Sequence, residues 1–381
     1  MRFVFVSSNL TWGGSEELWS ATAIALAERG HQVAVYKMRA DDDEPRVRRL
    51  RELSVPVRDL GRFPILSRLV YTSVERLSWS LSNAHRMARL WTGLKTSPRP
   101  DLIVVSQGGN FDGDLLAEVC RRQQLPYALI SQKASDLYWP ADSRAPRVRR
   151  MYTDARAAFF VSEHNRRLTE QQLGCELPHA RVVRNPFLVP WEPRNDWPDE
   201  SDGIRLACIG RMYPMEKGQD LLLRVLARER WRARPLSVTF YGDGPQREGL
   251  EQMAAFLGLT NVRFAGFVRD IAAAWNDHHG LILPSRCEGL PLVLVEAMLS
   301  GRLPIVTDVG GSGELVEDGA TGFLAPAASE EAIDETMDRA WTRRDEWRAM
   351  GAAAAERIRT LVPREPEAEL ATMLEGVAGG R

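Results

Sequence analysis

Short apolar runs rich in β-branched residues alternate along the first half of the chain with longer segments whose apolar positions recur at a helical period. The runs are bounded by turn residues, as in RFVFVSS at the N-terminus and DLIVVSQ near residue 105. The first long segment, GSEELWSATAIALAERG, is typical of a helix. This alternation predicts β-α-β units and therefore a parallel sheet covered by helices.

A second series of the same kind begins at residue 204 and contains runs such as IRLACIG and GLILPS. Before it, residues 188–203 are rich in Pro, Asp and Trp and lack periodicity. We therefore predict a first domain over residues 1–187, a linker, and a second domain over residues 204–361. A chain of 381 residues is long enough for two domains of ordinary size. Ligands bind beyond the carboxyl ends of such strands, so the loops there, facing a cleft between the domains, are the expected functional segments.

Charge is distributed unevenly between the halves. Residues 1–190 carry 28 Lys and Arg against 20 Asp and Glu, whereas residues 191–381 carry 22 against 31. Arginines concentrate in residues 46–69 and 144–150. A solvated protein face explains these clusters, and attraction to an anionic membrane surface or an anionic acceptor is the alternative.

The remaining composition predicts a cytoplasmic protein. The N-terminus enters a strand pattern at once, without the separate apolar region of a secretory signal. No stretch approaches the roughly 18 to 20 consecutive apolar residues that span a bilayer. Four scattered cysteines without paired metal-type spacing indicate reduced thiols.

The stretch SRCEGLPLVLVEAM places a glutamate at each end of an apolar run. Glu288 lies in the loop after the predicted strand GLILPS, and Pro291 suits the first turn of the helix that follows. The backbone N–H groups at this helix start suit a phosphate or sugar hydroxyls. Glu296 lies inside an otherwise apolar helix, so it needs a polar partner such as ribose hydroxyls unless it faces solvent.

The loop after the first strand of the second domain, GRMYPMEKG, carries two cations. Arg211 and Lys217 could neutralise a diphosphate and stabilise it as a leaving group. Similar loops follow the next two strands. Gly242 in YGDGP provides a turn, and the backbone around Phe267 and Val268 could contact the edge of a nucleobase.

Taken together, these motifs resemble the retaining glycosyltransferases of family 4, which have the GT-B fold of two Rossmann-like doubly wound α/β domains facing each other across a cleft. GRMYPMEKG is similar to that family's donor diphosphate loop, and SRCEGLPLVLVEAM is similar to its two glutamates separated by seven residues. VVRNP and VTDVGGSGELVEDGATGFL also resemble family segments. The resemblance covers almost the whole chain and implies that residues 362–381 cross back to the first domain.

The resemblance also implies roles for individual residues. Arg211 and Lys217 would hold the donor diphosphate, Glu288 would face the donor sugar, and Glu296 would hydrogen-bond the ribose. Backbone groups lining the sugar and phosphate site would come from Gly289, Leu290 and Pro291.

In the first domain, NLTWGGSEELW places two adjacent glycines after the first strand and before a helix that Ser15 could cap. The family has a similar double-glycine loop. By this resemblance Gly14 approaches the donor, while Gly13 and Glu16 lie on the acceptor side. The loop lacks the dinucleotide fingerprint GxGxxG, so a NAD enzyme is not expected.

The chain departs from the family in PYALISQKASD, where many members have a histidine at the strand end and this chain has Gln132. Gln107, in VVSQGGN, is the other polar residue expected on this acceptor side. A glutamine can orient a hydroxyl but cannot act as an acid or base near neutral pH. We therefore expect that no histidine base is used, and the resemblance implies that the leaving diphosphate receives the acceptor proton.

Two acidic motifs, DDDE at 41–44 and DGD at 112–114, could be read as metal ligands. The first is better explained as an exposed loop and the second as a helix cap. Because Arg211 and Lys217 can neutralise a diphosphate, no metal or other cofactor is expected.

The sequence therefore predicts a cytoplasmic, metal-independent, retaining glycosyltransferase of cell-envelope or polysaccharide biosynthesis. Its donor would be a UDP- or GDP-sugar, and its acceptor a glycan, a lipid-linked sugar or a small molecule. No nucleic-acid partner is expected. The alternatives are a nucleotide-sugar epimerase or hydrolase of the same fold, and a catalytically idle nucleotide-sugar binding protein.

Overall fold

The computed structural model describes residues 1–10, 12–61, 75–193, 195–268 and 270–380. The chain divides into two compact units, of which unit 1 comprises Met1–Pro186 with Glu365–Arg381 and unit 2 comprises Phe187–Arg364. Part of the first arginine-rich stretch, residues 62–69, lies outside the described residues.

Unit 1 is built on a seven-stranded parallel sheet with the order β3-β2-β1-β4-β5-β6-β7. The strands are β1 Arg2–Ser7, β2 Gln32–Lys37, β3 Val57–Asp59, β4 Leu102–Gln107, β5 Tyr127–Ser131, β6 Ala157–Phe160 and β7 Ala180–Val182. The chain reverses its direction of travel across the sheet between β1 and β4. In doubly wound sheets this is the switch point beside which ligands bind.

Seven helices cover the described part of this sheet. They are α1 Gly14–Glu28, α2 Pro45–Glu52, α3 Glu75–Thr96, α4 Asp114–Arg122, α5 Ala145–Thr153, α6 Glu163–Leu173 and the C-terminal α16 Pro366–Ala378. The last helix packs against α1, where Glu375 accepts a hydrogen bond from Arg29 at 3.2 Å and contacts His31 Nε2 at 2.8 Å. The C-terminal segment is therefore part of unit 1.

Unit 2 contains a six-stranded parallel sheet with the order β10-β9-β8-β11-β12-β13. Its strands are β8 Ile204–Ile209, β9 Leu236–Tyr241, β10 Val262–Gly266, β11 Gly280–Leu283, β12 Leu303–Thr307 and β13 Phe323–Ala325. Its helices are α7 Pro214–Lys217, α8 Gln219–Leu226, α9 Glu229–Arg232, α10 Arg247–Phe256, α11 Ile271–Asn276, α12 Leu292–Leu299, α13 Ser312–Leu315, α14 Glu330–Thr342 and α15 Trp347–Leu361. The two sheets confirm the predicted α/β class with two doubly wound domains.

The segment predicted as a linker, residues 188–203, lies within unit 2. Trp197 packs against the hydrophobic core of this unit, and its ring lies 5.6 Å from the guanidinium of Arg302. Arg302 also donates to the carbonyl of Asp196 at 2.7 Å. The tryptophan and the buried arginine anchor a segment whose Pro and Asp content alone indicated a loose connection.

The start of α1 also differs from the sequence interpretation. The helix begins at Gly14 with an extended Gly13 as its N-cap, so Ser15 lies inside the helix. The Ser15 hydroxyl instead accepts a hydrogen bond from Asn9 Nδ2 at 2.9 Å. The predicted serine cap is therefore wrong, because this hydroxyl binds a side chain of the preceding loop.

A buried carboxylate on α14 joins two helices of unit 2. Asp334 accepts from Trp231 Nε1 at 2.6 Å and from Arg230 Nε at 3.0 Å, and it also pairs with Arg228. We expect Asp334→Ala to cost about 2–3 kcal/mol, because it leaves a buried indole N–H without its acceptor and removes the nearest carboxylate from two arginines. The unfolding temperature should fall by about 4–12 °C, because each kcal/mol lost lowers it by about 2–4 °C.

Asp338 on the same helix is the matched control, because its carboxylate is more exposed and pairs with Arg234 at the surface. Asp338→Ala should cost under about 1 kcal/mol. Burial alone would raise the pKa of Asp334, but Trp231, Arg230 and Arg228 together lower it. The stability that the Asp334 carboxylate contributes is therefore complete above the unfolded pKa of 3.8 and is lost as pH falls through the lower folded pKa. In acid, the unfolding temperatures of the wild type and of Asp334→Ala should therefore converge.

Candidate functional site

The first site segment of unit 2 is the loop between β8 and α8. It returns to the sheet at Gly218, whose φ is 65° and whose Cβ, if present, would lie 1.9 Å from the carbonyl oxygen of Pro284. Only glycine fits this left-handed, tightly packed position. The loop that carries Arg211 and Lys217 is thereby held against the end of β11.

Lys217 in this loop and Glu288 in the loop after β11, which are 71 residues apart in sequence, form an ion pair. The lysine Nζ lies 2.7 Å from Oε1 and 2.8 Å from Oε2 of the carboxylate. Ser285 Oγ also donates to Oε1 at 2.7 Å. Glu288 is buried, so these donors take the place of the water molecules that its carboxylate would otherwise contact.

The backbone of the Glu288 loop is fixed to α7 and α8. The carbonyl of Glu216 accepts from Arg286 N at 2.7 Å and from Cys287 N at 3.1 Å. The Arg286 guanidinium donates two hydrogen bonds to the Asp220 carboxylate, at 2.6 and 2.9 Å. Burial would raise the pKa of Asp220, but Arg286 and Arg224 hold it below its usual value. This ion pair therefore stays charged near neutral pH and orients the loop.

Arg211 is the more accessible of the two loop cations. Its side chain is 53% exposed and lies 3.4 Å from Glu216. The guanidinium stacks over the ring of Tyr213 at 5.0 Å. Its backbone carbonyl accepts from Gln219 Nε2 at 2.8 Å, which fixes the main chain while leaving the charged group at the surface. The same loop thus carries a partly buried, paired lysine and an exposed arginine.

Glu296 is buried within α12, and its Oε1 accepts from the backbone N–H of Leu188 at 2.9 Å. A carboxylate can accept several hydrogen bonds. Pro291 is the extended N-cap of α12 rather than a residue of its first turn, so that expectation is corrected. Leu290 is buried beside it.

The loop after β12 packs against the backbone of the Glu288 loop, a role that the sequence did not predict for it. Gly311 N donates to the carbonyl of Gly289 at 2.7 Å. Gly310 has a φ of 57°, and a Cβ there would lie 2.4 Å from the carbonyl of Glu288. The glycine pair in VTDVGGSG was the available signal, because a backbone that approaches this closely requires glycine.

The loops after β9 and β10 lie at the same sheet edge as Arg211. Gly242 has a φ of 127°, its N–H donates to Gly266 at 2.7 Å, and a Cβ would lie 2.1 Å from the Gly210 oxygen. Phe267 is 70% exposed in the segment that connects β10 to α11, and Val268 follows it. An exposed aromatic ring here could stack on a planar ligand.

In unit 1, the loop with Gly13 and Gly14 is supported by a buried ion pair. Lys37 Nζ lies 2.8 Å from Glu16 Oε2, with side-chain exposures of 1% and 0%. Asn9 Nδ2 donates to the same carboxylate at 2.7 Å, and Lys37 also donates to the Asn9 carbonyl at 2.8 Å. Glu16 therefore supports the loop from inside, and the expectation that it faces an acceptor is corrected.

The two glutamines predicted on the acceptor side differ in their environments. Gln107 is fully buried, donates to the Asp112 carbonyl at 2.6 Å and accepts from Tyr152 Oη at 3.1 Å. Its amide holds neighbouring segments together, so the expectation of acceptor contact is corrected. Gln132 is also buried, but neither atom of its amide has a hydrogen-bond partner among the described residues.

The acidic motif DGD does not cap α4. Asp112 accepts from Gly109 N at 2.7 Å, and Asp114 pairs with Arg144 and Arg147 at 2.8 and 2.6 Å. Burial would raise the pKa of Asp114, but the two arginines lower it. In the part of the chain that the structure describes, no group of three or more His, Cys, Asp and Glu side chains is placed to hold a metal ion.

None of the helices over the described ranges is both long and apolar enough to cross a membrane.

Comparisons with known families match both halves of the chain. Residues 13–186 match the family model described as a glycosyl transferase 4-like domain. Residues 203–343 match the model described as glycosyl transferases group 1. Together these matches cover most of the sequence in the order in which the two units occur.

Among curated relatives, a GDP-mannose-dependent α-(1-6)-phosphatidylinositol monomannoside mannosyltransferase of Mycolicibacterium smegmatis is 28% identical over 284 residues. That alignment covers 64% of this chain and 72% of the relative. A D-inositol 3-phosphate glycosyltransferase of Frankia alni is 33% identical over 169 residues, covering 41% of each chain. With the second relative, the similarity therefore spans less than half of either protein.

Solved structures share the fold. The crystal structure of Anabaena HepE in complex with UDP-glucose matches with a TM-score of 0.78 and 19% identity over 99% of both chains. Sucrose-phosphate synthase from Thermosynechococcus elongatus matches with a TM-score of 0.77 and 16% identity over the full length of both. At these identities the likeness concerns the fold alone.

Proposed function

Since this chain belongs to the GT-B glycosyltransferases of group 1 and family 4, we propose that it transfers a sugar from a nucleoside-diphosphate sugar to a hydroxyl group with retention of anomeric configuration. Unit 2 binds the donor, and unit 1 binds the acceptor. The observation that carries this proposal is the contact between Lys217 and Glu288 beside the exposed Arg211. This arrangement places two cations and a carboxylate on one sheet edge.

In this proposal, donor binding exchanges the partners of Lys217. The diphosphate brings negative charge to Arg211 and Lys217, and the ammonium turns from Glu288 towards a phosphate oxygen. The Glu288 carboxylate then accepts hydrogen bonds from hydroxyls of the donor sugar, while Ser285 keeps it oriented. Preorganised cations of this kind stabilise charge that develops on a leaving group.

The transfer step breaks the bond between the anomeric carbon and the diphosphate oxygen and forms a bond from that carbon to the acceptor oxygen. The acceptor proton passes to an oxygen of the leaving diphosphate, on the same face of the sugar. Arg211 and Lys217 neutralise the diphosphate as its negative charge grows. The step needs neither a histidine base nor a metal ion.

Three further contacts would orient the donor. Glu296 accepts from ribose hydroxyls in addition to Leu188 N, and backbone groups of Gly289 and Leu290 line the sugar and phosphate region. Exposed Phe267, with Val268 beside it, lies against the nucleobase.

We further propose a cytoplasmic enzyme of cell-envelope or polysaccharide biosynthesis that uses a UDP- or GDP-sugar. The acceptor is a glycan, a lipid-linked sugar or a small molecule. The named phosphatidylinositol-linked acceptor of the mycobacterial relative supports the lipid-linked choice. Exposed Arg149 and Arg150 on α5 would favour peripheral contact with an anionic membrane.

Thermal unfolding with UDP, GDP, ADP and their sugars tests this function. With EDTA present, one nucleotide should stabilise the protein in a way that increases with its concentration, by about 2.7 kcal/mol at 100 times its dissociation constant. Mass spectrometry of the same samples should then show transfer to an added acceptor. Epimerisation or hydrolysis of the donor without an acceptor would indicate the alternative enzyme, and binding without any turnover would indicate an idle binding protein.

A further inference from the structure

Three adjacent strands of unit 1 end at one sheet edge, and each is followed by a buried amide side chain. The last residues of β5, β6 and β7 are paired in register across the sheet. Gln132 follows β5 directly, Asn165 lies in the first turn of α6, and Asn185 follows β7 by three residues. Neighbouring strands are about 4.8 Å apart, so the three strand ends span about 10 Å.

These amides carry polar atoms that the protein itself does not satisfy. Gln132 and Asn165 are 5% and 0% exposed, and neither the oxygen nor the nitrogen of either amide has a hydrogen-bond partner in the described chain. Asn185 is 5% exposed, and its Oδ1 is also unpartnered. Buried polar groups in folded proteins are nearly always hydrogen-bonded, so three such residues at one edge call for an explanation.

A structural role does not explain these buried amides, because other residues form the hydrogen bonds that hold this edge of the sheet together. Ser162 Oγ caps α6 by accepting from Asn165 N at 3.2 Å. Gln172 Nε2 donates to the Ser135 and Tyr138 carbonyls at 2.8 and 3.0 Å and so ties the loop after β5 to α6. The side-chain amides of Gln132 and Asn165 contribute to none of these bonds.

The unpartnered atoms define the chemistry of a ligand. Three amide oxygens need hydrogen-bond donors, and an ionised phosphate or carboxylate offers only acceptors. A hydroxyl both donates and accepts, so hydroxyl groups can satisfy amide oxygens and amide N–H groups together. For Gln132 and Asn165 both amide atoms lack partners, so this conclusion does not depend on how either amide is turned.

The nearby cations do not change this chemistry. Arg184, next to Asn185, donates to the Val161 carbonyl at 2.9 Å, and Lys133, next to Gln132, also has an interaction partner. We propose that Gln132, Asn165 and Asn185 form an acceptor subsite for an uncharged, hydroxyl-rich sugar or polyol. This inference rests on the proposed transferase function and narrows its acceptor to a group that is neutral at the point of contact.

Leucine substitutions test the subsite, because leucine is similar in size to both amides and has no polar atom. We expect Gln132→Leu and Asn165→Leu to keep or raise the unfolding temperature, since each removes an unsatisfied buried group. Stabilisation by the donor nucleotide should be unchanged. Transfer to neutral p-nitrophenyl glycosides should lose about tenfold or more in kcat/KM, mainly through KM.

Gln107→Leu is the matched control, because the same residue type ends the neighbouring strand β4 with its amide satisfied inside the protein. It should lower the unfolding temperature, whereas Gln132→Leu should not. Saturation-transfer NMR with neutral methyl glycosides and their 6-phosphates reports acceptor binding without turnover. The wild type should bind the neutral glycosides in preference, and both leucine variants should lose this binding.

Two results would overturn the subsite. Either the leucine variants lose stability as Gln107→Leu does and bind glycosides normally, or sugar phosphates bind better than neutral glycosides in a way that depends on the amides. A wild type that neither binds a nucleotide nor turns over a donor refutes the proposed function instead. Nucleotide binding and glycoside binding are measured separately, so the two failures are distinguishable.

Discussion

Replacing Lys217 with alanine is expected to lower kcat/KM for sugar transfer by about 10²–10³-fold, the loss typical of removing one preorganised group that stabilises developing charge. The lysine is paired with Glu288 at 2.7 Å, so the substitution removes a cation already positioned in the loop. Stabilisation by the donor nucleotide should also fall sharply. Steady-state kinetics and thermal unfolding with the nucleotide measure the two effects.

Lys95→Ala provides a control at an exposed lysine on α3, and it should change neither quantity. The substitution at Lys217 also leaves the buried carboxylate of Glu288 with Ser285 as its remaining described side-chain donor. This should cost about 1–3 kcal/mol of folding free energy. The double variant with Glu288→Gln should recover that stability without recovering transfer, which separates the fold from the chemistry. Transfer within threefold of wild type in Lys217→Ala would refute the assignment.

A second large effect is expected in unit 1, where Lys37→Met should destabilise the fold by about 3–5 kcal/mol. Lys37 and Glu16 are both almost fully buried, and removing one partner leaves an uncompensated charge in the interior. For a unit of this size, the unfolding temperature should fall by about 6–20 °C at about 2–4 °C per kcal/mol. Thermal unfolding monitored by circular dichroism measures the shift.

The neighbouring pair of Arg46 and Glu17 is the matched control. It joins the same turn of α1 to α2, but the arginine side chain is 31% exposed. Arg46→Met should therefore cost under about 1 kcal/mol. Combining Lys37→Met with Glu16→Gln should recover part of the lost stability, because the buried charge is then gone. Equal losses in the two single variants would contradict a special role for the buried pair.

The architecture was largely predictable from the sequence. Strands buried on both faces of a parallel sheet appear as continuous apolar runs, so the strands of both sheets were visible apart from two. Those two, Val57–Asp59 and Phe323–Ala325, are edge strands of three residues each. The packing of the predicted linker against unit 2 was not visible in the sequence, because the contact between Trp197 and Arg302 is a tertiary contact.

The sequence also determined which residues follow the strands at the donor-side edge. Arg211, Lys217 and Glu288 were predicted at strand-end loops because turn residues and strand patterns mark those positions locally. The direct contact between Lys217 and Glu288 depends on how β8 and β11 pair in the sheet. The contribution of the Gly310 loop likewise appeared only once β12 was placed next to β11.

Only the tertiary structure distinguished Gln107 from Gln132, which lie at the ends of neighbouring strands in similar sequence contexts. Gln107 is satisfied by Tyr152, 45 residues away, whereas the amide of Gln132 has no partner in the described chain. The same holds for Glu16, whose partner Lys37 comes from the next strand. Periodicity and turn residues are local and determined the fold, but a buried side chain's hydrogen-bond partners are set by chain packing, so its role could be decided only in three dimensions.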